Sequence, residues 1–127
     1  MKLSLVSIPV KDPIKAHEIY TEKLGFISKT FEPESSLAIV VSSEEPQGTA
    51  ILLEPCVGSF AETYQDSAYK ANLPIMVFSV QNVASVLERL RSKGIKLRPE
   101  LDKPEWGLMN MFEDGCGNIL MLEERPV

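Results

Sequence analysis

Apolar positions along the chain switch between two periods. Leu3, Leu5 and Ser7 alternate with Val6, Ile8 and Val10, and this period of two with β-branched content predicts a strand over Leu3–Val10. At Asp12 the period lengthens. Asp12 is placed as an N-cap before Pro13 at the first helical position, and Ala16, Ile19, Tyr20 and Leu24 form an apolar stripe that stops at Gly25, so a helix is expected over Pro13–Leu24. Phe26–Phe31 and Leu37–Ser42 return to strand character, and the turn SSEEPQG leads into a further strand over Thr49–Glu54. The first half therefore reads β-α-β-β-β.

Between Pro55 and Asn72 the alternation disappears. Gly58, Ser59 and small polar residues surround Phe60, Tyr64 and Tyr69, which suggests a connector containing a short helix. The earlier pattern then restarts. Pro74–Val80 reads as a strand, Asn82 as a cap, and Val83, Val86, Leu87 and Leu90 as a helical stripe stopped by Gly94. Ile95–Arg98, Leu108–Phe112 and Asn118–Glu123 supply three more strands. The second half is again β-α-β-β-β, at an almost constant offset: 70 residues separate Val10 from Val80, and 69 separate both Gly25 from Gly94 and Gly48 from Gly117. These landmarks divide one domain, residues 1–127, into a first module of about 1–57, a connector of about 58–72 and a second module of about 73–127.

Composition narrows the possible functions. Thirteen basic against eighteen acidic residues leave a net charge of −5, which argues against nucleic acid as a partner, because phosphate binding needs a basic face. Pro9, Lys11 and Asp12 interrupt the N-terminal apolar stretch before a signal sequence could form, and no run reaches membrane-spanning length. Cys56 and Cys116 lack C-x-x-C spacing and read as free thiols of a cytoplasmic protein. The functional alternative is a reactive Cys116, activated by backbone N–H groups in its Gly-rich turn.

That turn lies in FEDGCGNILMLEE, Phe112–Glu124, where Asp114, Gly115, Gly117 and Asn118 favour a hairpin. The stretch resembles the D-P-x-G-N-x-x-E signature of the glyoxalase, bleomycin-resistance and extradiol-dioxygenase superfamily, the vicinal oxygen chelate proteins, with Gly115 in the Pro place. The first helix resembles that superfamily's V-x-D-x-x-x-A-x-x-F-Y-x-x-x-L-G-F pattern at Val10, Asp12, Ala16, Tyr20, Leu24, Gly25 and Phe26, with Ile19 in place of Phe. The resemblance covers essentially the whole chain. It implies an α+β fold of two tandem βαβββ modules, whose sheets form a shared, open, barrel-like cavity with helices on the outer face. It also implies a homodimer, an expectation reinforced by the open sheet edges that two small modules leave.

Metal-dependent members of the superfamily carry His, Glu or Gln ligands on the first and last strands of each module. By resemblance these places fall on Leu5, Leu52, Ile75 and Met121, none of which can ligate a divalent cation, so neither metal nor other cofactor is expected. The implied function is binding of a small molecule in an apolar cavity without a metal. The candidate ligand-binding set is Leu5, Leu52, Glu54, Ile75, Trp106, Met109, Met111, Met121 and Glu123. Met fills irregular shapes and Trp offers a stacking face, although the same residues could be core. Arg98 and Lys103 could position an anionic group. Glu54 and Glu123 occupy equivalent places and could act as an acid and base pair or as solvated strand ends. The pair keeps a second reading open, that of a glyoxalase-like lyase or isomerase, or a dioxygenase-related enzyme, with a non-standard site. Catalytic residues are not identified by the sequence. The sole histidine, His17, reads as a solvated helix residue.

Overall fold

The computed structural model describes residues 1–98 and 110–126. In chain order these form β1 (Leu5–Val10), α1 (Pro13–Glu18), β2 (Ile27–Glu32), β3 (Leu37–Val41), β4 (Ala50–Pro55), α2 (Phe60–Lys70), β5 (Met76–Val80), α3 (Val83–Ser92), β6 (Asn110–Glu113) and β7 (Ile119–Glu124). The fold is α+β, with two sheets in an open arrangement; the first half has the expected βαβββ order and the described residues of the second run β5, α3, β6, β7. The first sheet runs β1-β4-β3-β2 and the second β5-β7-β6. Beyond β6, Leu97 bridges Phe112, flanked by backbone bonds from Arg98 N to Met111 O (2.8 Å) and from Glu113 N to Lys96 O (2.8 Å). The Ile95–Arg98 strand of the sequence reading is thus a short edge pairing, in the place that β2 holds in the first sheet.

Register makes the repeat quantitative. Parallel pairing sets Val6 against Ile51 in the first half and Met76 against Leu120 in the second, which preserves the offsets of 70 and 69. Antiparallel pairing sets Ile39 against Leu52 and Met111 against Met121, so β3 and β6 are offset by 72. The second module therefore inserts three residues before β6 and removes them in the final hairpin, while the outer strand pair stays in step.

Both helices begin and end as their sequences dictate. The Asp12 carboxylate accepts from Ile14 N at 3.0 Å and Lys15 N at 3.3 Å, and the Asn82 amide oxygen accepts from Ser85 N at 2.9 Å. The expected helix to Leu24 is α1 followed by a π-helical turn, Ile19–Lys23, in which Leu24 N bonds to Ile19 O. Ala16, Ile19 and Tyr20 are buried. α1 lies on the face of the first sheet carrying Ile8, Val10, Ala38, Val40, Ile51 and Leu53. α3 lies on the matching face of the second sheet, and the two helix-bearing faces contribute to one core. Phe26 from the first half meets Phe78 from the second edge to face, with ring centroids 5.3 Å apart.

The region read as a connector contains a full three-turn helix, α2, capped by Ser59. Its anchor is polar. Gln65 is buried and its amide NH₂ donates to Pro9 O (2.8 Å), Asn118 Oδ1 (3.0 Å) and Cys116 O (3.1 Å). Asn118 donates to Pro9 O at 2.7 Å and to Asp114 Oδ2 at 2.8 Å, and that same carboxylate oxygen accepts from Tyr20 Oη at 2.6 Å. Asp114 Oδ1 accepts from the backbone of Cys116 and Asn118. Hydropathy cannot signal α2, because its deepest side chain is an amide whose NH₂ acceptors all lie more than fifty residues away.

Two substitutions test this account by urea unfolding. Asp12→Ala removes one exposed cap and costs about 1 kcal/mol. Asn118→Ala leaves the Gln65 amide and the Asp114 carboxylate short of buried partners, and costs about 2 kcal/mol or more. Equal effects from the two changes would contradict the hub role of Asn118.

Candidate functional site

Each sheet has one face that carries no α1-type helix, and strand register decides which candidate residues share it. On the first sheet, pairing of Leu5 with Ala50, Ser7 with Leu52, Pro9 with Glu54, and Ile39 with Leu52 places Leu5, Leu52 and Glu54 on one face. Among the described residues this face is apolar and partly open: Leu5 is 46% exposed, Ile27 is 44% exposed, Leu52 and Ile39 are half-buried, and Pro9, Val41 and Ala50 are buried. On the second sheet, pairing of Val77 with Met121, Ser79 with Glu123, and Met111 with Met121 places Met111, Met121 and Glu123 together. The candidate residues thus form two groups, one on each sheet. Ile75 precedes β5, bonds through its N–H to Ile119 O, and packs against the main core. Trp106, Met109 and Lys103 lie outside the described residues.

The second group is covered. Met111, Ile119 and Met121 are buried as a separate small cluster against Tyr69 of α2. Tyr69 Oη donates to Glu113 Oε1 at 2.8 Å, and Glu113 Oε2 receives Arg98 at 3.2 Å and Lys96 at 3.4 Å. The Arg98 guanidinium lies 5.3 Å from the Tyr69 ring centroid and also bonds the Asn72 side chain. Arg98, expected as a possible anion contact, is therefore committed to Glu113 within the chain. Sequence reasoning missed Tyr69 and Glu113 as neighbours of this face, since Tyr69 sits in a stretch without periodicity. Strand parity could have found Ser7, Ile39, Val77 and Ser79, which share the faces named above.

The remaining candidates resolve individually. Glu54 is half-buried and Glu123 exposed, at equivalent places on different sheets. His17 is half-buried rather than solvated. Its ring stacks on Phe31 with centroids 3.9 Å apart, its Nε2 lies 2.7 Å from Ser28 Oγ, and burial lowers its pKa. Cys56 and Cys116 are unpaired and buried. Burial, then the nearby Asp114 charge, pushes the Cys116 thiol from the ordinary 9.0 up to about 12, the opposite of activation.

The residues that the sequence resemblance sets at the superfamily's metal-ligand places do not fit a metal: Leu5, Leu52 and Ile75 offer hydrocarbon and Met121 a thioether. Among the described residues, no group of three or more His, Cys, Asp or Glu side chains is gathered to hold an ion. None of the described helices is long and apolar enough to cross a membrane.

Comparison with known proteins agrees with this geometry. The sequence profile of the Glyoxalase/Bleomycin resistance protein/Dioxygenase superfamily matches residues 2–122. The uncharacterized protein YurT of Bacillus subtilis (strain 168) is 35% identical over 127 residues, covering 98% of this chain and all of YurT. Among solved structures, UcmS2 superposes with a TM-score of 0.77 at 28% identity over 98% of each chain. TnmS3, an antibiotic binding protein from Streptomyces sp. CB03234, superposes with a TM-score of 0.72 at 23% identity over 99% of this chain and 97% of its own.

Thiol chemistry offers a direct check on the cysteine assignment. Native protein at neutral pH should show no thiol reacting rapidly with a disulfide reagent, and both should react once it is unfolded. A raised thiol pKa means the folded state holds its proton longer than the unfolded one. The Cys116 contribution to stability is therefore intact below about pH 9 and is lost as pH rises towards about 12. Fast native labelling at Cys116 would contradict its burial.

Proposed function

The chain belongs to the glyoxalase, bleomycin resistance protein and dioxygenase superfamily, and from that premise we propose that it is a small-molecule binding protein working without a metal. The observation that carries this reading is chemical. The superfamily's four ligand places hold Leu5, Leu52, Ile75 and Met121, and such groups favour apolar ligand surface at roughly 25 cal/mol per Å² buried while giving a divalent cation nothing to bind. The structural likeness to an antibiotic binding protein supports the same reading. The ligand is then a largely apolar organic molecule, held against Leu5 and Leu52 on the first sheet, with Met111 and Met121 beneath Tyr69 on the corresponding face of the second. Ile75, Trp106 and Met109 border the site, and Glu54 and Glu123 sit at its rim.

We place the complete site between two copies of the chain, each acting as one unit over residues 1–127. Among the described residues each sheet has unpaired edges, and Leu5, Ile27 and Val77 remain about half exposed. The unpaired cysteines suit a reducing, cytoplasmic setting.

The decisive experiment denatures freshly purified protein, identifies the released small molecules by mass spectrometry, and titrates each back by the fluorescence of Trp106. Met121→Glu places a carboxylate among thioether and aliphatic groups and should weaken binding by about tenfold or more. Unchanged affinity for every recovered ligand would remove Met121 from the site. Turnover of the methylglyoxal–glutathione adduct on addition of Zn²⁺, Ni²⁺ or Mn²⁺ would overturn the binding reading in favour of an enzyme. Sedimentation at tens of micromolar, an ordinary working range for such equilibria, should show a dimer.

A further inference from the structure

A separate cleft of about 350 Å³ opens where the two halves meet, on the helix-bearing side of the second sheet. Its floor is apolar: Phe26 from the loop after α1, Phe78 of β5, Leu90 of α3, and Phe112 and Leu122 from the neighbouring strands. These side chains alternate with Val77, Met111 and Met121 along their strands. The cleft floor therefore lies through the sheet from the face proposed above, and of the residues placed on that face only Ser79 also borders the cleft. Its volume is at the lower end of that of small-molecule sites.

The mouth has the opposite character. Arg89 and Lys93, one turn apart near the end of α3, stand beside Ser42, Ser43 and Glu44 of the β3–β4 loop. The Glu44 carboxylate is held by Arg125 at 2.9 Å, and Arg91 is neutralised by Glu88 at 2.6 Å. Among the described residues, neither Arg89 nor Lys93 has an acidic partner. The Lys93 ammonium is steered by a 3.0 Å bond to Glu22 O from the other side of the cleft. An apolar floor beneath two cations and two hydroxyls is complementary to one kind of molecule: an apolar, preferably aromatic, body ending in a single anionic group.

We infer that this inter-module cleft is a second binding site, taking an amphipathic organic acid whose aromatic or aliphatic body lies on Phe26, Phe78 and Phe112 and whose carboxylate meets Arg89 and Lys93. The two cations also complement the negative end of the α3 dipole. That role affects helix stability, not the capture of an anion, so binding measurements separate the two.

The test uses 4-phenylbutyrate as probe and its uncharged analogue 4-phenylbutanol as control, followed by amide chemical shifts of the full-length protein. Phenylbutyrate should shift Gly25, Phe26, Ser43, Arg89 and Lys93, and should bind about tenfold tighter than the alcohol. Arg89→Gln combined with Lys93→Gln, both exposed positions, should remove that preference and leave the binding of phenylbutanol unchanged. Met121→Glu should leave phenylbutyrate binding intact, which separates this site from the sheet-face site whatever the fate of the latter. Absence of shifts at these amides with millimolar probe would overturn the inference and mark the cleft as a packing gap. Shifts confined to Leu52 and Met121 would overturn it in favour of the sheet faces. Equal affinity for acid and alcohol in the unmodified protein would overturn the assigned chemistry.

Discussion

The carboxylate of Asp114 and the amide of Asn118 are the contacts on which the rest of this structure depends. Both are buried, and between them they reach Tyr20 of the first helical segment, Pro9 at the end of β1, Gln65 of α2, and the turn that joins β6 to β7. A buried polar group without a partner costs more than a made bond contributes, so such a network tolerates one relative placement of its members. The surroundings enforce the same geometry. Gly117 has φ +104°, and a Cβ there would sit 2.6 Å from Gln65 Oε1. Tyr20 is fully enclosed, and burial with the adjacent Asp114 charge holds its phenol well above the ordinary pKa. The hub therefore fixes the two halves to each other and to α2 at once.

Its position has consequences for the surfaces available to a ligand. By anchoring α2 through Gln65, the hub sets where the rest of that helix falls, and Tyr69, one turn further on, covers Met111 and Met121. By joining β1 and α1 to the final hairpin, it brings Phe26 against Phe78 and so builds the wall of the inter-module cleft. One set of hydrogen bonds thus shapes both the sheet face and the groove behind it. The residues most distinctive in sequence, the Asp, the glycines and the Asn of the closing turn, are spent on architecture. Whatever selectivity this protein has must come from less conspicuous side chains around them.

The contrast between the two sheets has an energetic reading. The first sheet leaves Leu5 and Ile27 half exposed, whereas on the second Met111 and Met121 are withdrawn beneath an aromatic ring latched to Glu113 and only Val77 stays comparably exposed. Apolar surface left in water is unfavourable in proportion to its area, so the uncovered sheet is the stickier of the two. The Tyr69, Glu113 and Arg98 group also accounts for the charge nearest the second face, while Arg89 and Lys93, on the other side of that sheet, are cations at the cleft mouth with no acidic partner among the described residues.

The sequence by itself determined the elements and their repetition. Caps at Asp12 and Asn82, stops at Gly25 and Gly94, and the switch between periods of two and 3.6 are local properties, set by backbone sterics and nearest-neighbour hydrogen bonds, and the structure reproduces them. The family resemblance singled out Leu5, Leu52 and Met121 in advance, but which of the candidates share a face was set by strand register, which pairs Ser7 with Leu52 and Met111 with Met121. Only the tertiary structure decided what covers each face. The extent of α2, the burial of Gln65, the latch of Tyr69 on Glu113, the stacking of His17 on Phe31 and the cleft between the halves all depend on side chains that meet across separations of 14 to more than fifty residues. Periodicity records which way a side chain points relative to its own strand or helix. It carries no information about which distant element arrives to meet it, and that arrival is governed by a buried polar network whose pairings, Tyr20 with Asp114 and Gln65 with Asn118 among them, have no sequence signal of their own.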